Sequence, residues 1–139
     1  MKVAPLLFLP FAAQFVLACH HTPPELLAFP ASCVRTRDCT EPVTIPDDTL
    51  PRGTILGLVV DRFDMRLVGY AQVKIVSTGI ITIATEKGAF RLSGLHPGPD
   101  TLDIRFIGYQ RSWVPVILPQ ATGVRILVPL QPLGLQISY

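Results

Sequence analysis

The chain has 139 residues, with 12 Lys and Arg against 10 Asp and Glu and a net charge of +2. One domain is expected at this length. The scattered charges exclude a nucleic-acid binder built on a basic stripe, and 14 prolines with 10 glycines argue against a helical bundle. The first element is apolar: after Lys2, the run from Val3 to Ala18 is interrupted only by Pro5, Pro10 and Gln14. A membrane-crossing helix needs about 20 such residues, so this run reads as a secretory signal peptide over residues 1–18.

The signal ends in Val16-Leu17-Ala18-Cys19. This resembles the lipobox of bacterial lipoproteins, in which a small residue precedes a cysteine that takes a diacylglyceryl group. The resemblance implies lipidation at Cys19, attachment to the membrane through that lipid, and residence in the cell envelope, in the outer membrane if the bacterium is Gram-negative. Two or more acyl chains give stable anchoring where one is marginal.

Residues 19–52 follow as a tether. Pro23, Pro24, Pro30, Pro42, Pro46 and Pro51 each remove a backbone donor and fix φ, which disfavours a long helix or a central strand. The expected form is an extended spacer. It carries Cys33 and Cys39, and export puts both in an oxidising compartment. With Cys19 used for lipid, these two are expected to pair. A loop this short gains about 2 kcal/mol at most from closure.

From Gly53 onward the pattern becomes all-β. Ile55 to Val60 is a continuous apolar run. Ala71, Val73 and Ile75 then alternate with Gln72 and Lys74, Phe90 and Leu92 with Arg91 and Ser93, and Leu102, Ile104 and Phe106 with Asp103 and Arg105. Trp113 to Leu118, Val124 to Leu130 and a short run at Leu135 to Ile137 complete the series. Turns are expected at Glu86-Lys87-Gly88, at His96 to Asp100 and at Gln120 to Gly123. Period-two alternation at this spacing predicts an antiparallel seven-stranded β-sandwich over residues 53–139. Its expected core is Val59, Val73, Ile75, Phe90, Leu92, Leu102, Ile104, Phe106, Ile126 and Val128.

Several of these residues fall in a family pattern. Gly57, Val59 and Asp61 fit an opening Gly-x-Val-x-Asp strand. Leu67, Gly69, Ala71 and Val73 fit the next. Gly88, Phe90, Leu92, Gly94 and Leu95 fit Gly-x-Phe-x-Leu-x-x-Leu, with Pro97 and Gly98 as its turn, and Leu102 to Tyr109 fit a closing strand that ends in Gly-Tyr. From Gly53 to about Leu130 the chain resembles the carboxypeptidase regulatory-like domain, a transthyretin-like (prealbumin-like) sandwich also grouped with carbohydrate-binding-like folds. It departs from the pattern at Arg66, Thr85 and Asp100, and Tyr70 reads as an inserted residue at a bulge. The resemblance implies a domain that is generally non-catalytic.

The residues offer little chemistry. His96 is the one histidine of the domain, and Asp100 is its only nearby candidate for an orienting partner. A hydroxyisourate hydrolase of the same broad fold needs several histidines and a Tyr-Arg-Gly-Ser end, and this chain ends Gln136-Ile137-Ser138-Tyr139. Asp61 and Asp64 read as solvent-facing loop acids, too few for calcium. No enzyme, cofactor, metal site or nucleic-acid partner is expected. Tyr70, Tyr109, Trp113 and Tyr139 are the aromatic residues that could stack on a sugar if they share an exposed face. The expected function is a lipid-anchored module presenting the sandwich to an envelope protein, through an open edge or around Asp61 to Tyr70. Carbohydrate binding is the alternative. Because the same domain precedes the plug of some TonB-dependent receptors, a role beside such a receptor is expected only in trans.

Overall fold

The structure is a computed structural model that describes Leu26, Phe29 and residues 41–134. Eight strands run in order: β1 (Val43–Asp47), β2 (Ile55–Asp61), β3 (Gln72–Ile75), β4 (Ile81–Ile83), β5 (Ala89–Leu92), β6 (Gly98–Arg105), β7 (Ser112–Leu118) and β8 (Gly123–Leu130). They form two four-stranded sheets, β1-β8-β2-β5 and β4-β3-β6-β7. The expected sandwich is therefore present, with eight described strands rather than seven. It is not wholly antiparallel, because β2 and β8 pair in parallel from Ile55 opposite Val124 to Asp61 opposite Leu130. The signal segment, Cys19, Cys33, Cys39, the run at Leu135 to Ile137 and Tyr139 lie outside the described residues.

Burial follows the residue pattern of each strand. In β7 the alternation is strict: Val114, Val116 and Leu118 point inward while Trp113, Pro115 and Ile117 stay in solvent. In β2 and β8 nearly every residue is buried, which is why both read as unbroken apolar runs. The inter-sheet core joins Ile55, Val59, Val73, Ile75, Phe90, Leu92, Leu102, Ile104, Ile126 and Val128 with the inward face of β7. Phe106, expected in that core, is only half-buried and packs at its margin, with its ring centroid 6.0 Å from that of Tyr109.

The second buried cluster explains the double coverage of β2 and β8. Leu26 and Phe29, 2% and 8% exposed, lie with Leu58, Val60, Met65 and Leu127, and Val43, Ile45, Leu67 and Ala89 flank them. Leu26 and Phe29 thus lie on the outer face of the β1-β8-β2-β5 sheet, and the Phe29 amide donates to the Leu26 carbonyl at 3.1 Å.

The tether also supplies β1, which corrects the expectation of an extended spacer up to residue 52. Prolines disfavour central strands, but β1 is an edge strand, where Pro46 is tolerated. Val43 to Asp47 pair with Leu127 to Gly123. Asp47 closes the strand by accepting from the Thr49 amide at 2.9 Å and from the Thr49 hydroxyl, and by pairing with Arg125 of β8. The Thr49 hydroxyl first, and then the Arg125 guanidinium, hold its carboxyl down to about 2.

Two glycines show what the matched pattern requires. A Cβ on Gly57 would meet the Phe90 ring at 2.0 Å, so the ring occupies the place of the missing side chain. Gly88 has φ +77, and a Cβ there would come within 2.6 Å of the Val59 carbonyl oxygen. Tyr70, the inserted residue, sits at φ 68 and is 62% exposed.

Candidate functional site

Direct partners in an antiparallel ladder place their side chains on one face. On the outer face of the β4-β3-β6-β7 sheet, Ile81, Lys74, Asp103 and Trp113 therefore share one rung, and Ile83, Gln72 and Arg105 share the next. Ile81, Ile83, Trp113 and Ile117 are each more than half exposed, and Ile107 lies in the turn after β6 at 88%. This face therefore carries several exposed apolar side chains.

Asp103 is at an outward position, as its alternation predicts, yet it is only 2% exposed. Two arginines lie over it. Arg111 donates from Nε to Oδ1 and from Nη2 to Oδ2, both at 2.8 Å, and Arg105 donates from Nη2 to Oδ2 at 3.0 Å. The Arg111 fork is the main cause that brings the Asp103 carboxyl down to about 2, Arg105 adds to it, and burial opposes it. Arg111 also stacks on Trp113, with its guanidinium carbon 4.0 Å from the ring centroid. The carboxylate thus fixes both guanidiniums, and one of them fixes the indole.

Beside this array runs an open groove of about 500 Å³, lined by Tyr70, Gln72, Ile83, Arg105, Phe106 and Tyr109 among others. Of the four aromatic residues proposed from sequence for sugar binding, Tyr139 lies outside the described residues, and Tyr70 and Tyr109 meet in this groove. Trp113 joins it only through Arg111. Tyr109 is not a free platform, because its hydroxyl donates to Asp61 Oδ2 at 2.8 Å. Burial pushes that hydroxyl above its ordinary pKa; Arg66 works against the rise and Asp61 adds to it.

Asp61 was expected to face solvent and instead is 5% exposed. It caps its own turn by accepting from the Phe63 amide at 2.8 Å, and Tyr109 reaches it from 48 positions away. The Asp of the opening strand and the Tyr of the closing Gly-Tyr are thus one contact that ties β2 to the turn after β6. Met65, in the same loop, is 6% exposed at φ 60, so part of Asp61 to Tyr70 packs into the sandwich, while Phe63 and Tyr70 stay 65% and 62% exposed. Asp64 is exposed and accepts from the Arg66 amide.

His96 is exposed, and Asp100 does not orient it. Asp100 instead accepts from the Ser77 hydroxyl, the Ser77 amide and the Thr101 amide. Among the described residues no three of His, Cys, Asp and Glu gather as metal ligands, and no helix is long and apolar enough to cross a membrane.

Two packed sheets with a rigid arginine–tryptophan face define a β-sandwich module. The carboxypeptidase regulatory-like domain family matches residues 54–131, more than half of the chain, and the chain belongs to that family, whose domains are non-catalytic. Among solved structures, it is similar to a type II cohesin–X-dockerin complex from Acetivibrio cellulolyticus, with 17% identity, a TM-score of 0.46, and coverage of 56% of this chain and 55% of that one. It is also similar to the pilus 2b backbone protein of group B streptococcus, with 17% identity, a TM-score of 0.43, and coverage of 58% and 41%. The chain thus spans about half the length of these structures or less. No curated protein matches it.

Proposed function

We propose that the chain is a lipid-anchored, non-enzymatic module of the cell envelope that presents the outer face of the β4-β3-β6-β7 sheet to a protein partner. The observation that carries this reading is the Arg105–Asp103–Arg111 array stacked on Trp113, with exposed Ile117 further along the same face of β7. Trp and Arg dominate the energetics of protein interfaces, and here both are held in place before a partner arrives, which lowers the entropy cost of binding. Lys74, Arg105 and Arg111 stand against one carboxylate on this face. The complementary surface therefore carries apolar side chains together with free carboxylates, and an outer-membrane receptor acting in trans is one protein that could offer it.

A sugar platform is less well supported. Arg111 covers one face of Trp113 and Asp61 holds Tyr109, which leaves Tyr70 as the one ring of the three described without such a contact. Attachment rests on Cys19, and Cys33 pairing with Cys39 belongs to the same reading of an exported protein.

A photo-crosslinking side chain at Ile117 in the full protein, in its own membranes, tests the face. It should trap one discrete protein, and Arg111→Ala with Trp113→Ala should remove that adduct. An unchanged adduct in the double variant, or none in the wild type, would overturn the proposal. Cys19→Ser should release the protein from membranes; continued membrane partitioning together with blank fatty-acid labelling of the wild type would refute the anchor.

A further inference from the structure

The two sheets have four edge strands, and three carry a device against pairing. Pro46 stands in β1, Pro115 in β7 and an exposed Arg91 in β5. The fourth, β4, is short, at three residues, but carries neither a proline nor a charge. From Ile75 to Thr85 the chain runs 11 residues without a charge. Within that run Val76, Ile80, Ile81 and Ile83 are 45–55% exposed.

The hydrogen-bond phase of β4 says which groups are free. The Ile80 carbonyl accepts from the Ile75 amide and the Ala84 amide donates to the Ala71 carbonyl, both at 2.9 Å. Groups that face a given neighbour alternate along a strand, so residues 80, 82 and 84 face β3. The N–H and C=O of Ile81 and Ile83 then point out from the sheet, and among the described residues β4 pairs with β3 alone.

We infer that β4 pairs antiparallel with β4 of a second copy of this chain, about a two-fold axis at Thr82. That register sets Ile81 opposite the partner's Ile83, and Ile83 opposite the partner's Ile81. Both are positions whose N–H and C=O face outward, so the outward groups on each chain all enter the inter-chain ladder. The isoleucines of the two chains meet in these 81–83 pairs on the outer face. A two-fold sets every residue against a copy of its own strand, so a charge in β4 would double as a repulsion, and this edge has no charge to double. A strand of three residues gives modest affinity, and confinement to a membrane surface supplies the local concentration it needs. The pairing does not depend on what the Trp113 face captures.

The central pair tests it. Thr82 opposite Thr82 is a non-hydrogen-bonded pair with Cα atoms about 4.5 Å apart, within the range that a disulfide spans. Thr82→Cys, in the full lipidated chain with Cys33 and Cys39 replaced by Ser, should give a disulfide-linked dimer in vesicles under mild oxidation. Ile117→Cys should not. Adding Ile83→Pro removes two inter-chain donors per dimer and leaves the β3–β4 ladder intact, because that N–H faces away from β3. The dimer yield should fall about tenfold or more. Ile81→Lys provides the same test by charge should the proline variant unfold. Trp113→Ala should leave the dimer unchanged, so failure of the partner face and failure of the edge are separate results. Absence of a dimer at Thr82→Cys, or a yield indifferent to both edge substitutions in folded protein, would overturn the inference.

Discussion

Asp103→Asn removes one negative charge from beneath two guanidiniums while keeping the shape of the side chain. The native carboxyl is held at about 2 against an ordinary 3.8. At 1.36 kcal/mol per decade that gap is worth at most ~2.5 kcal/mol. Arg105 and Arg111 have side chains 50% and 42% exposed, so water screens both pairs. The expected loss is therefore about 1 kcal/mol, or roughly 4–8 °C in Tm for a domain of this size. The pH dependence is specific. A depressed folded pKa contributes stability that is complete above the unfolded value and is lost as pH falls through the folded one. The difference between Asp103→Asn and wild type should thus be constant from pH 7 down to about 4 and shrink toward pH 2. Asp47 titrates in the same window in both proteins and cancels in the comparison. Urea unfolding at several pH values measures this. Equal stability at pH 7, or a gap that persists at pH 2, would refute the account of Asp103 as the charge that organises the face.

Phe29→Ala should lower stability by about 2 kcal/mol, below the 3–5 typical of a core phenylalanine because the cluster it joins is covered by one segment only; a melting curve identical to wild type would mean that the N-terminal segment does not cap the sheet. Gly57→Ala should cost about 1–3 kcal/mol, because its Cβ would stand 2.0 Å from the Phe90 ring, and thermal denaturation would show it. Tyr109→Phe should cost about 1–2 kcal/mol by removing a donor from buried Asp61, and hydrogen exchange should show the Asp61–Phe63 turn opening more often.

The strands that bury one face were legible, because β3, β5, β6 and β7 alternate as written. The two central strands were legible as unbroken apolar runs, but their parallel pairing was not, since no local pattern records which strand lies beside which. β1 was hidden by its proline, whose tolerance depends on the strand being at an edge. β4 carries its own signal, since Ile81 and Ile83 alternate with Thr82 shortly after Gly79. The site was the least legible part. Asp103 alternates outward as its neighbours do, and its burial is imposed by Arg111, eight residues on in the connection between β6 and β7. Asp61 and Tyr109 could be matched to a family pattern separately, but nothing in the chain says that they touch.

Leu26 and Phe29 also set a length. With lipid on Cys19 as proposed, seven residues separate the anchor from Leu26, against 24 from Cys19 to Val43, where β1 begins. A random chain of n residues has a mean span of about 5–6 Å × √n, which would give roughly 15 Å for the shorter stretch and 27 Å for the longer one. The volume open to the sandwich would shrink as the cube of that ratio, about sixfold. On the proposed anchor, docking of two apolar side chains would then hold the domain close to the bilayer, in favour of partners rooted in the same membrane.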